Sequence, residues 1–154
     1  MTIPRIEDVR NFRQADERLI TCGQPSEAQL AAARTAGVGV VINLALHNDP
    51  RYSLADERGS VEALGLTYRH IPVQFGRPAE SDLLAFFDAM EEAGDRYVLV
   101  HCAANYRVTA FLGLYRHSRQ GWSVERAFEL MDSVWTPDRV WTDFIASMLA
   151  KHRG

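Results

Sequence analysis

Two rhythms of apolar and polar residues alternate along the chain. Short runs rich in β-branched residues are separated by longer stretches whose apolar positions recur every three to four residues. Arg18 to Cys22 (RLITC) reads as a short entering strand. Ser26, with Gln29 three residues on, forms a capping box that opens a helix, and Gly37 ends it. Val38 to Leu44 (VGVVINL) is a continuous apolar run, the pattern of a strand buried on both faces of a parallel sheet. His47 to Tyr52 is a loop, Leu54 to Leu64 a helix closed by Gly65, and Thr67 to Ile71 the next strand. Pro72 to Pro78 forms a second loop, and a helix from Ser81 runs to Gly94. Tyr97 to Val100 (YVLV) is another buried strand, followed at once by His101 and Cys102. A helix from about Arg107 to Gln120 stops at Gly121, and Ser123 caps a further one. Thr136-Pro137 opens the last helix, with proline at its first position. No repeat or linker divides the chain, so the expectation is a single domain over residues 1–154, with its core over about 18–150. Strands alternating with helices imply an α/β fold: a mainly parallel sheet of four to five strands flanked by helices.

Composition narrows the chemistry. At 154 residues, 47% hydrophobic and 24% charged, the chain is long enough for a core and too apolar to be disordered. A net charge of -3 gives no general reason to bind nucleic acid or a membrane surface. Of the 17 Lys and Arg residues only Lys151 is a lysine, which argues against Schiff-base chemistry and a GK[ST] nucleotide loop. The N-terminal residues lack a basic stretch followed by an apolar run, and no run approaches the ~20 residues that span a bilayer. A cytoplasmic protein is expected. His47, His70, His101, His117 and His152 have no metal-ligand spacing, so neither a metal nor an organic cofactor is expected. Trp122, Trp135 and Trp141 read as packing residues, as does Cys22, for which a disulfide with Cys102 is the alternative.

The segment HCAANYRVTA carries the reactive candidates. Cys102 follows a buried strand and precedes a helix, and in open α/β sheets ligands bind beyond the carboxyl ends of the strands. Unpaired amides and the positive end of the dipole lower the pKa of a thiol placed there. The amides of Ala103, Ala104, Asn105, Tyr106 and Arg107 can curl around a tetrahedral oxyanion such as phosphate or sulfate, and Arg107 can add a bidentate clamp. Asn105 is the residue in this curl that best tolerates a left-handed backbone. His101 either supports the thiolate or satisfies a carbonyl, Thr109 either assists the site or bonds back to its helix, and Tyr106 lines the mouth or covers the loop.

This segment resembles the loop HC-x5-R-[ST] of the cysteine-dependent tyrosine and dual-specificity phosphatase superfamily. TCGQPSEAQLAAARTAGVGVVINL is similar to the opening of a bacterial phosphatase-like branch, and YRHIPVQFGRPAESDLLAFFDAM to the strand, acid loop and helix before the cysteine strand. The resemblance spans about residues 18–150 and implies a dual-specificity-phosphatase-like fold. It implies Cys102 as nucleophile, forming a phosphocysteine, with His101 supporting its low pKa. Arg107 would bind the phosphoryl group and Thr109 would assist the cysteine as leaving group. Two departures follow. Only AANY separates Cys102 from Arg107, a C-x4-R length also found in rhodanese-type sulfurtransferases. Phe75 stands where the family places its general-acid aspartate, leaving Asp82, Glu80 or Asp49 as substitutes. Since a general acid contributes about 10²–10⁴-fold, weak phosphate monoester hydrolysis is expected. Sulfur transfer through a Cys102 persulfide and non-catalytic binding of a phosphorylated ligand are the alternatives.

Overall fold

The computed structural model describes residues 4–51 and 53–153. Tyr52, in the expected loop after His47, lies outside the described residues. Five strands form one sheet in the order β1-β2-β5-β3-β4: β1 Arg13–Asp16, β2 Leu19–Cys22, β3 Val40–Asn43, β4 Thr67–His70 and β5 Val98–His101. All neighbours are parallel except β1, which joins the β2 edge antiparallel. The helices are α1 Glu27–Thr35, α2 Glu57–Ala63, α3 Glu80–Ala93, α4 Tyr106–Ser118, α5 Val124–Ala127, α6 Glu129–Val134 and α7 Arg139–Lys151. The α/β reading and the parallel sheet are therefore observed.

Alternation along the strands divides the core. Ile20 and Cys22, Val41, Leu99 and Tyr68 pack with Leu30, Ala33 and Val61 of α1 and α2 on one face. Leu19, Val40, Ile42, Val98 and Val100 pack with α3, α4, α6 and α7 on the other. Between the sheet and those outer helices, α4 is buried on every side from Arg107 to Arg116. A helix enclosed in this way is apolar or small along its middle, Val108 to Leu114, apart from Thr109, and its two buried arginines, Arg107 and Arg116, stand at the ends of the stretch. Gly113 lets it approach the Phe128 ring so closely that an added methyl group would overlap the ring carbons.

Several boundaries differ from the pattern-based expectation. The edge strand β1 was not anticipated, because RQAD is half exposed and has no apolar run. Asp56 caps α2 by accepting from the Gly59 N–H, so the helix starts at Glu57 rather than Leu54. Pro137 does not occupy the first position of α7; Asp138 is the cap, accepting from Trp141 N–H at 3.0 Å. The helix expected after Ser123 is broken into α5 and α6 at Phe128. The capping box of Ser26 and Gln29 is present as read. Among the described residues no helix is long and apolar enough to cross a membrane.

Gly113→Ala should destabilise the fold by about 1–3 kcal/mol through overpacking against Phe128. At roughly 2–4 °C per kcal/mol for a chain of this size, calorimetry should record a fall in Tm of several degrees. An unchanged Tm would refute the close packing of α4 on Phe128.

Candidate active site

Parallel register aligns one row of side chains at the carboxyl ends of the strands: Cys22 of β2, His101 of β5, Asn43 of β3 and His70 of β4. All four share the face covered by α1 and α2, because paired residues in a sheet point the same way. Cys102 comes one residue after this row, and its N–H donates to the Cys22 carbonyl at 3.3 Å. The row is largely polar and lies deep, so its hydrogen bonds must be supplied by protein. Asn43 Nδ2 donates to Tyr68 Oη at 3.0 Å and to His47 Nε2 at 2.8 Å, while its Oδ1 accepts from Ala45 N–H. His70 Nε2 donates to the Ala45 carbonyl at 2.7 Å and its ring stacks on His47 at 4.3 Å. His101 Nε2 lies 2.6 Å from Glu57 Oε2, and Glu57 Oε1 accepts from Gln24 Nε2 at 2.8 Å. Burial opposes ionisation of Glu57, but the charge and hydrogen bond of His101, aided by Gln24, hold its carboxyl below the usual range.

The turn from Cys102 to Arg107 is shaped by long-range contacts. Asn105 adopts φ 69°, ψ 9°, the left-handed conformation expected of it. Its side chain does not cap α4. It points back instead, and Nδ2 donates to the Asn11 carbonyl at 2.8 Å and to Thr21 Oγ1 at 3.0 Å. Asn11, itself left-handed at φ 55°, returns a bond from Nδ2 to the Ala104 carbonyl at 2.9 Å. Gly23 forms a bridge with Ala104, and a side chain at Gly23 would collide with the Ala103 carbonyl. With no side chain accepting at its start, the first-turn N–H groups of α4 remain donors facing the turn.

Cys102, Ala103, Ala104, Tyr106, Arg107 and Phe75 line one cleft of about 190 Å³. Arg107 is buried, with Nη1 donating to the Val73 carbonyl at 2.8 Å. Its Nε is buried without a protein acceptor, a donor worth about 1–3 kcal/mol if satisfied. The cleft wall is aromatic. Tyr106 stacks on Trp135 at 4.7 Å, and Phe75 lies 6.3 Å from Tyr106, its carbonyl accepting from Trp141 Nε1 at 2.7 Å. Thr109 Oγ1 sits 2.9 Å from the Asn105 carbonyl and accepts from Trp135 Nε1 at 3.1 Å, so its hydroxyl is engaged with its own helix and the aromatic wall.

The structure thus brings Cys102 and the turn residues Ala103 to Arg107 together at the end of β5, with His101 behind them. It separates the three acid candidates. Asp49 lines an adjoining cleft of about 170 Å³ that shares Phe75, Ala103 and Arg107 with the first. Arg51 hydrogen bonds hold the Asp49 carboxyl below its ordinary range. Glu80 is tied to Lys151 at 3.0 Å and His152 at 2.8 Å, and neither it nor Asp82 lines either cleft. Burial pushes the Asp82 carboxyl up, but in the first turn of α3. Glu57, Gln24 and Asn11 were not identified from the sequence. An acid in the first turn of a helix is ordinarily solvated, and nothing local distinguishes Glu57 from that case. Among the described residues no group of three or more His, Cys, Asp or Glu is placed to hold a metal ion.

Residues 11–119 match the phosphatase-like domain of β-lactamase hydrolase-like proteins, and the chain belongs to that family. The crystal structure of a DUF442 protein from Shewanella putrefaciens CN-32, described as a candidate phosphatase, is similar over 97% of both chains, with 31% identity and a TM-score of 0.85. Tk-PTP in its active form superposes with a TM-score of 0.76 at 19% identity, over 92% of this chain and 97% of its own. P. aeruginosa TpbA superposes with a TM-score of 0.71 at 20% identity, over 90% of this chain and 84% of its own. A comparison with curated proteins returns no match. The fold is therefore that of the tyrosine and dual-specificity phosphatases.

Asn105→Ala should cost about 2–3 kcal/mol, combining the left-handed backbone with two lost hydrogen bonds. Asn105→Gly, which restores the backbone freedom alone, should recover part of that loss in urea unfolding. Equal stability of the two variants would refute the strain at this position.

Proposed function

We propose that the protein is a cysteine-dependent phosphatase of phosphate monoesters, in which Cys102 is the nucleophile and Arg107 the phosphoryl clamp. The observation that carries this reading is the buried Nε of Arg107, a charged donor without a protein acceptor on the same cleft as Cys102. A phosphoryl oxygen would satisfy it, and others would meet the first-turn amides of α4. Cys102 Sγ would attack phosphorus, forming the S–P bond as the P–O bond to the leaving group breaks. Water would then hydrolyse the phosphocysteine and release phosphate. Charge spread over the transferring oxygens would be met by the guanidinium and the amides, where fixed dipoles act most strongly. A phosphorylated ligand is consistent with the relative TpbA, whose Cys-to-Ser variant was crystallised with phosphotyrosine.

Leaving-group protonation is the weak part of this site. Phe75 stands on the cleft wall, and Asp49, the acid candidate that lines the adjoining cleft, is held ionised by Arg51. Activated aryl phosphates, whose leaving groups need no proton, should therefore outpace alkyl phosphates by about 10²-fold or more, the scale of the missing acid. Asp49→Asn should change aryl phosphate turnover by less than about threefold. A loss of about 10²-fold or more, the contribution of a general acid, would make Asp49 that acid after all.

The short turn favours one second reading, sulfur transfer through a Cys102 persulfide, because C-x4-R is also the sulfurtransferase length and the cleft carries no carboxyl beside the thiol. Hydrolysis of an activated aryl phosphate, with Cys102→Ser in parallel, separates the two. Turnover abolished by the variant supports the phosphatase. No turnover, together with thiocyanate formed from thiosulfate and cyanide, replaces it with sulfur transfer.

A further inference from the structure

The imidazole of His101 faces an acceptor at each ring nitrogen. Nε2 lies 2.6 Å from a Glu57 carboxylate oxygen, and Nδ1 lies 3.4 Å from the Cys102 carbonyl. A neutral imidazole carries one N–H, so only the imidazolium can donate in both directions. Glu57 has the complementary need. Its side chain is fully buried, and the Gln24 amide satisfies only one of its oxygens. A buried carboxylate beside a neutral ring would be an uncompensated charge costing several kcal/mol, whereas beside an imidazolium it is half of a neutral pair.

Among the described residues, Cys22, Tyr68 and His47 beside the pair are held neutral. Cys22 sits beside His101 on β2, and burial pushes its thiol up, keeping it protonated. Tyr68 on β4 is likewise pushed up by burial and stays neutral, with Arg58 of α2 over the outer side of its ring at 5.0 Å. His47, in the loop after β3, is pushed down by burial and by the neighbouring His70. His47 is also required to be a neutral acceptor by Asn43, whose amide is locked by Ala45 and Tyr68. Within this network Glu57 pairs with His101, and the ring lies between the carboxylate and the Cys102 backbone.

We propose that Glu57 is a positioning residue that keeps His101 protonated, and that the imidazolium so held helps to keep Cys102 as its thiolate. The ring lies between the Glu57 carboxylate and the Cys102 carbonyl, so the positive member of the pair is the one nearer the Cys102 backbone, and the pair would act on Cys102 as an oriented dipole in a buried setting. This inference rests on Cys102 as the nucleophile. It adds to that reading a residue 45 positions earlier in the chain that acts on the thiol only through the ring.

The test reads the thiol and the ring without turnover, so its outcome is independent of whether phosphate or sulfur is transferred. The rate of Cys102 alkylation by iodoacetamide is followed against pH, with peptide mapping to separate Cys22. In Glu57→Gln the midpoint should rise by about one pH unit, a tenfold loss of thiolate below it. His101→Gln should raise it equally, and the double variant should go no further than His101→Gln alone. Nitrogen-15 NMR of the wild-type imidazoles, which needs no variant, should find both His101 nitrogens protonated at pH 7. A wild-type alkylation midpoint in folded Glu57→Gln, an additional shift in the double variant, or a neutral His101 at pH 7 would each overturn the proposal.

Discussion

The six residues from Cys102 to Arg107 must carry the chain out of a buried strand and into a helix buried on every side. Neither end of the turn can move, because β5 is held between two parallel neighbours and α4 between the sheet and the outer helices. The connection is too short to relax, so its backbone is dictated from outside. Asn105 takes the left-handed conformation, and the Ala104 residue before it is gripped by Asn11 and Gly23. Side-chain oxygens that would ordinarily cap a helix are turned away. The first-turn donors and the Arg107 guanidinium consequently converge on one small cleft.

Burial of this turn also explains the polar row beneath it. Carboxyl ends of strands usually meet solvent or a loop, but here Cys22, His101, Asn43 and His70 are covered by α2 and the loop after β3. Every heteroatom in the row must find a partner in the protein. Glu57, Gln24, His47 and Tyr68 provide most of them, and the resulting network is rigid. Rigidity behind the thiol is an advantage for a site that works by fixed charges, since no reorganisation is needed during reaction.

Much of this was legible in the sequence, for reasons that are local. VVIN and VLVH are strands whatever surrounds them, because a short β-branched run bounded by turn residues has few other uses. Cys102 and Arg107 could be paired because they lie within a single turn, and Asn105 because few side chains tolerate its backbone. Illegible features depend on tertiary partners. RQAD becomes a strand only because the β2 edge is there to pair with it. Glu57 looks like any acid that opens a helix until the fold buries it against His101. Asp49, Glu80 and Asp82 were indistinguishable by sequence, and what separates them is which loop or helix meets the cleft.

The reciprocal bonds between Asn11 and the turn span 93 and 94 positions of sequence, which bears on how the protein folds. Residues that far apart meet only after the chain between them has been ordered, and closing so long a loop costs entropy before it returns any contact. During synthesis Asn11 emerges early and waits while β2, β3, β4 and β5 are made. The sheet can therefore form before the turn is gripped, and the anion-holding shape is among the last features to be set. Chemistry at Cys102 thus serves as a report that both ends of this long chain segment have met.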